Sequence, residues 1–80
     1  MEHEMHFGTL PTNKGERNET RIIAQVQKNG WKSAQVRRFW KPEEGREFWT
    51  PTRFGASIPL EDIEYAIRCL QAAKSWLEEL

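Results

Sequence analysis

The sequence predicts an α+β domain: four short antiparallel strands followed by one C-terminal helix that dimerises with its copy. Three observations carry that expectation. Residues 21–28, "RIIAQVQK", and 31–40, "WKSAQVRRFW", alternate between two sets of side chains around an Asn-Gly pair, the pattern of a hairpin. Turn residues then break the chain into two further short extended runs. From Pro59 to Leu80 no glycine or proline intervenes and apolar residues recur at helical spacing.

Residues 1–20 read as a flexible N-terminal arm, because "GTLPTNKGERNET" is dense in Gly, Pro, Asn, Thr and charge and has no apolar period. The short "MHF" before it is a candidate edge strand. The folded domain is therefore assigned to residues 21–80. In its first hairpin Ile22, Ala24 and Val26 oppose Ile23, Gln25 and Gln27, and Ala34 and Val36 oppose Gln35 and Arg37. Asn29 and Gly30 are expected to supply the positive φ of the turn. "KPEEG", residues 41–45, is turn chemistry. "REFWTPTR" makes a third strand, placed at an edge or carrying a bulge because Pro51 has no N–H to donate. A bend at Phe54 and Gly55 leads to "GASI" as a fourth.

Pro59 suits the first position of the helix, and Glu61, Asp62 and Glu64 sit at the positive end of its dipole. Glu78 and Glu79 oppose the dipole at the other end, so the last turn is expected to fray. At 100° per residue two apolar stripes emerge. Leu60, Ile63, Ala66, Ile67, Leu70, Ala73 and Leu77 form one, and Tyr65, Cys69, Ala72 and Trp76 form the second. Together they span roughly 220°, whereas one core needs only about 100°. The first stripe is expected to cover the sheet, which leaves Tyr65, Cys69, Ala72 and Trp76 as a homodimer interface.

Eighty residues make one small domain with a limited core. Cys69 is the only cysteine, so no intrachain disulfide forms and a reducing compartment is expected. His3 and His6, with Glu2 and Glu4, have no framework to preorganise them as ligands. Neither a metal nor a cofactor is expected. There is no basic leader and no apolar run of about 20 residues, which points to a cytoplasmic protein.

The zero formal net charge is an average over unlike segments. Residues 1–20 carry two basic against four acidic side chains, a balance of −2. Residues 21–58 carry eight against three, or +5, and residues 59–80 carry two against five, or −3. Six of the nine aromatic residues also fall in the basic middle: Trp31, Phe39, Trp40, Phe48, Trp49 and Phe54. Rings beside positive charge are what binders of single-stranded nucleic acid use, stacking bases on the rings and holding phosphates with the cations. Neighbouring strand residues point to opposite faces, so one ring of Phe39/Trp40 and one of Phe48/Trp49 should leave the core. The candidate contacts are Arg21, Lys28, Lys32, Arg37, Arg38, Trp40, Trp49, Arg53 and Phe54. The other reading of the same residues is a protein-interaction module whose basic aromatic sheet docks an acidic partner.

Enzymatic chemistry finds no constellation. Asp62 and its glutamate neighbours are explained by the helix dipole, Cys69 lies in an apolar stripe, and Gly45 and Gly55 are too far apart for a phosphate loop.

The ordered set "VRRFW", "PEEG", "PTRFG" and "ASIPL", with the helix from Leu60, resembles the positive cofactor four family of transcriptional coactivators, in particular its short bacterial and phage-type members. The resemblance runs from Gly30 to Leu77 and implies a curved four-stranded antiparallel sheet, dimerised through the helices, that grips single-stranded DNA or RNA with low sequence specificity. It implies a non-catalytic role in transcription, replication or repair, with transcription or replication machinery as further partners. Arg37 and Trp40 fall where the family places a strand arginine and a stacking tryptophan. Arg53 falls at the first of the basic pair before glycine. Phe54 departs from the pattern, replacing a lysine, and the first hairpin tip is Lys28-Asn29-Gly30 in place of aromatic-Lys-Gly.

Overall fold

Four antiparallel strands follow one another across a single sheet in chain order, and one helix closes the chain. The computed structural model describes residues 3–42 and 48–80. The strands are β1 (His3–Lys14), β2 (Asn18–Val26), β3 (Lys32–Trp40) and β4 (Thr50–Pro59). A 3-10 turn, Leu60–Asp62, leads into helix α1, Ile63–Glu78. β1 and β4 are the two edges.

The α+β class with four strands and a terminal helix holds, but the four strands are not the expected four. The segment expected to be a flexible arm contains all of β1 and the start of β2. An edge strand pairs on one side only, so it tolerates residues that would break a central strand. β1 makes use of that tolerance twice. Phe7 is an extra residue between the His6–Ile23 and Gly8–Ile22 pairs, and a second register shift between Thr9 and Lys14 accommodates Pro11. Conversely, the expected third and fourth strands are one strand, β4, interrupted by a bulge. The start of the expected third strand and most of "KPEEG" lie at residues 43–47, outside the described residues. Pro51 does sit on an edge strand beside a bulge.

The central hairpin is the most regular part. Every residue from Asn18 to Val26 pairs with one from Trp40 to Lys32. The turn uses one positive φ and not two: Gly30 has φ +87°, and Asn29 has no positive φ. Gly30 N–H donates to Gln27 O at 2.8 Å and Gln27 N–H to Trp31 O at 2.9 Å, the arrangement of a three-residue loop with its left-handed position at the glycine. Asn29 contributes through its side chain, with Oδ1 accepting from Trp31 N–H at 3.0 Å.

Pro59 is the last residue of β4 and precedes the 3-10 turn with φ −57° and ψ 150°. It therefore stands before the first helical position and not in it. The C-terminal end, expected to fray, is instead closed by 3-10-type bonds that satisfy its last carbonyls: Glu79 N–H reaches Trp76 O and Leu80 N–H reaches Leu77 O, each at 3.3 Å.

The helix does not cover the sheet. None of its residues is buried; Leu70 is 68 % and Trp76 62 % exposed. The first apolar stripe, expected to form the core, is as open as the second, with only Ile63 and Ala66 partly covered. The physical reason is the connection: a single 3-10 turn joins β4 to α1, and it carries the helix away from the sheet instead of back across it. The radius of gyration is 14.6 Å, against about 12 Å for a compact chain of this length.

Among the described residues no second layer covers either face of the sheet, and the pleat sorts the side chains between the two. On one, in register, lie Glu19, Arg21, Ile23 and Gln25 of β2 with Phe39, Arg37, Gln35 and Ser33 of β3. On the other lie Ile22, Ala24 and Val26 with Val36, Ala34 and Lys32, and with Ala56 and Ile58 of β4. The first face is mostly polar yet buried, containing all five buried residues among those described: Ile23, Phe39, Glu19, Ser33 and Gln35. The second is mostly apolar yet open, with Ile22 and Val36 each 38 % exposed.

Candidate nucleic-acid interface

The polar face is built around two arginines side by side. Arg21 and Arg37 are partners across the β2–β3 ladder, an arrangement that like charges disfavour unless each is held by acceptors. Arg21 Nε donates to Glu19 Oε2 at 2.8 Å. Its guanidinium also lies over the Phe39 ring at 4.6 Å and the Trp49 ring at 5.4 Å. Lys41 Nζ approaches the same Trp49 ring at 5.0 Å. Arg37 is held differently: Nε donates to Gln35 Oε1 at 2.8 Å and Nη1 to Thr52 O at 3.0 Å. Both of its acceptors are neutral, so its positive charge remains available to an anion.

Glu19 anchors the cluster from below. Burial by itself would push its carboxyl up, but hydrogen bonds from Arg21 and from Thr9, with the charges of Arg21 and Lys14, more than reverse this and hold it below the ordinary value of 4.5. Thr9 Oγ1 donates to Glu19 Oε2 at 3.0 Å, and His6 Nε2 in turn contacts Thr9 Oγ1 at 3.0 Å. β1 thus contributes to the site from a segment expected to lie outside the domain.

The bulge in β4 forms the second part of the site. Arg37 pairs with Gly55 and Phe39 with Pro51, so Thr52, Arg53 and Phe54 all lie opposite Arg38. Thr52 closes the gap: its hydroxyl donates to Arg38 O at 2.8 Å and accepts from Phe54 N–H at 3.1 Å. Gly55, at φ +151°, lets the strands approach, since a Cβ there would come within 2.4 Å of Val36 O. The displaced Arg53 and Phe54 are exposed, with the Arg53 guanidinium 5.7 Å from the Phe54 ring centre. Phe54 and Arg38 line a shared depression.

The expected contacts therefore do not form one surface. Arg21, Arg37 and Trp49 belong to the polar face, and Lys32, Arg38 and Trp40 to the opposite one. Lys28 is exposed at the hairpin turn, and Arg53 and Phe54 project from the bulge. Arg37 and Trp40, paired by the family motif, point to opposite sides because they are three residues apart on a regular strand. Each adjacent ring pair is split, Phe39 and Trp40 by the pleat of β3, and Phe48 and Trp49 just ahead of β4. Phe39 is buried and Trp40 44 % exposed, while Trp49 is half-buried and Phe48 exposed. The Trp40 ring is capped by Arg17 at 5.6 Å, whose side chain also reaches Lys41 O at 3.3 Å and Pro42 O.

Glu19, Gln25, Gln35, Lys41 and Thr52 were not among the expected contacts. The signal for the two glutamines was present, since the alternation sets Gln25 and Gln35 on one side of the hairpin. Tyr65, Cys69, Ala72 and Trp76 are all exposed on α1, and no described helix is long and apolar enough to cross a membrane. No family model, curated protein or solved structure matches the chain.

Proposed function

We propose that the chain is a non-catalytic, homodimeric protein that binds single-stranded DNA or RNA on the polar face of its sheet. The observation that supports this most is that face itself. Among the described residues no second layer covers it, and it carries adjacent Arg21 and Arg37 beside the half-buried Trp49 ring. Guanidiniums accept phosphates and flat rings accept bases. The exposed Arg53 and Phe54 extend the groove at its rim, and the Phe54 ring offers stacking where the resembled family offers a second lysine. Such binding is tolerant of sequence, because every base has a face to stack. A role in transcription, replication or repair, in contact with the nucleoid, follows from the resemblance.

A second copy completes the protomer. Tyr65, Cys69, Ala72 and Trp76, together with the open Leu70 stripe, give the helix an apolar surface that one copy leaves in water. Helix-to-helix pairing removes it.

The test is fluorescence anisotropy with a labelled single-stranded oligonucleotide at two salt concentrations. Binding is expected to weaken with salt, and Arg37→Ala to lower affinity about tenfold while reducing the salt slope by roughly one phosphate contact. Trp49→Ala should weaken binding more than Trp40→Ala, since Trp40 points to the other face. Tryptophan emission should fall on binding. No binding at low salt, with capture of an acidic protein instead, would replace this reading by that of a protein-interaction module.

A further inference from the structure

One chain presents two apolar surfaces and closes neither. On the sheet, Ala34 and Val36 of β3 lie between Ile58 and Ala56 of β4 on one side and Ala24 and Ile22 of β2 on the other. On the helix no residue is buried. A three-residue 3-10 turn is the whole connection after Pro59, so α1 leaves the end of β4 without returning across its own sheet.

The two surfaces match in length and in charge. Lys32 and Arg38 share the apolar side of β3 with Ala34 and Val36 between them, and the strand rise sets them about 20 Å apart. At 100° per residue Glu64 and Glu78 flank the stripe of Ile67 and Leu70, and the helical rise sets them about 21 Å apart. Arg68 and Lys74 fall between these carboxylates, which concentrates the negative charge of α1 at its ends. Among the described ladder residues on the apolar side of the sheet none is acidic. Pairing helix with helix alone would leave Val36 in water, whereas a two-fold exchange covers both surfaces with one contact. We infer that each α1 lies along the apolar sheet face of the other copy, its Leu70 stripe over Ala34 and Val36 and its acidic ends beside Lys32 and Arg38. The stripe of Tyr65 and Trp76 is then left for the contact between the two helices. The inference rests on the homodimer proposed above and names what each copy supplies to the other.

The experiment is an isotope-filtered NOE measurement on an equal mixture of 13C-labelled and unlabelled full-length chains, without nucleic acid. Contacts between chains are expected from the methyls of Ala34 and Val36 to those of Ile67 and Leu70. Sheet-to-helix contacts found only within a chain would overturn the inference, as would contacts between chains confined to the two helices. A monomer would remove the homodimer and this inference together, while nucleic-acid binding stands or falls on its own titration. Reversing both basic ends, with Lys32→Glu and Arg38→Glu in one chain, should raise the dimer dissociation constant about tenfold at low salt, and the difference should close in molar salt. Circular dichroism shows whether that variant keeps its sheet and helix. A folded variant that dimerises as tightly as the wild type would overturn the inference as well.

Discussion

Gln35 and Val36 are neighbours on β3 with burial opposite to their chemistry. Gln35 is 6 % exposed on the polar face, and Val36 is 38 % exposed on the apolar one. Where a sheet has no second layer, a side chain is shielded mainly by the others on its own face. Glu19, Arg21, Gln25, Gln35 and Arg37 shield one another by hydrogen bonding along and across strands, and Phe39 packs under a guanidinium. Ile22, Ala24, Val36 and Ala56 have no such device. The polar face is held together by its own side chains, whereas the apolar face and the helix are left open by a single chain.

The sharpest way to break that contrast is to charge the unfinished half. Leu70→Asp is expected to abolish association and, with it, most of the fold's stability, a loss of several kcal/mol. Analytical ultracentrifugation and a thermal melt read both. A folded, monomeric wild type at micromolar concentration would show that one protomer suffices. Next in size is Gly55→Ala, which places a methyl group against Val36 O and forces a strained φ. About 3 kcal/mol or more should be lost in chemical denaturation. Full stability would mean that the β3–β4 approach is looser than the bulge geometry requires.

Within the polar half, Glu19 supplies a test by pH. Its carboxyl titrates below 4.5 in the folded chain, so the unfolded state binds the proton more readily and stability rises with pH. The wild type's advantage over Glu19→Gln should be constant above the ordinary value, then shrink as pH falls through the lowered one. An advantage that persists into strong acid would mean Glu19 acts by shape alone. The smallest effect concerns Ser33, whose buried hydroxyl has no hydrogen-bond partner among the described residues. Ser33→Ala removes that orphan and should be neutral or stabilising by up to about 1 kcal/mol.

Much of this contrast was legible in the sequence. The alternation in "RIIAQVQ" and "SAQVRR", with Gly30 fixing the turn, gives the register of the central hairpin and the division of its faces. The helix was legible from its apolar period. What eluded reading lies at the edges. The composition of residues 8–20 argues for loop, and only a neighbour supplying hydrogen bonds on one side turns such a segment into β1. The bulge at residues 52–54 adds two residues opposite Arg38 and so keeps the parity of β4, but the residues inside it have no ladder partner and no alternation rule places Arg53 or Phe54. The opposed placement of Arg37 and Trp40 could be read by counting, since an odd separation on a regular strand changes face. A motif that names them together hides it. The destination of the helix was not legible, because an apolar stripe favours cover without specifying what supplies it.

The β4 bulge has a consequence for engineering. Ladder pairs on its two sides are held separately, Ser33 to Arg37 with Gly55 to Pro59, and Phe39 and Trp40 with Pro51 and Thr50. Three residues already stand there opposite one, clipped by the Thr52 hydroxyl. The chain length between Thr52 and Gly55 is therefore a free variable of the fold. A reporter or a reactive handle inserted after Phe54 would leave the Thr52 clip in place and ride at the rim of the groove.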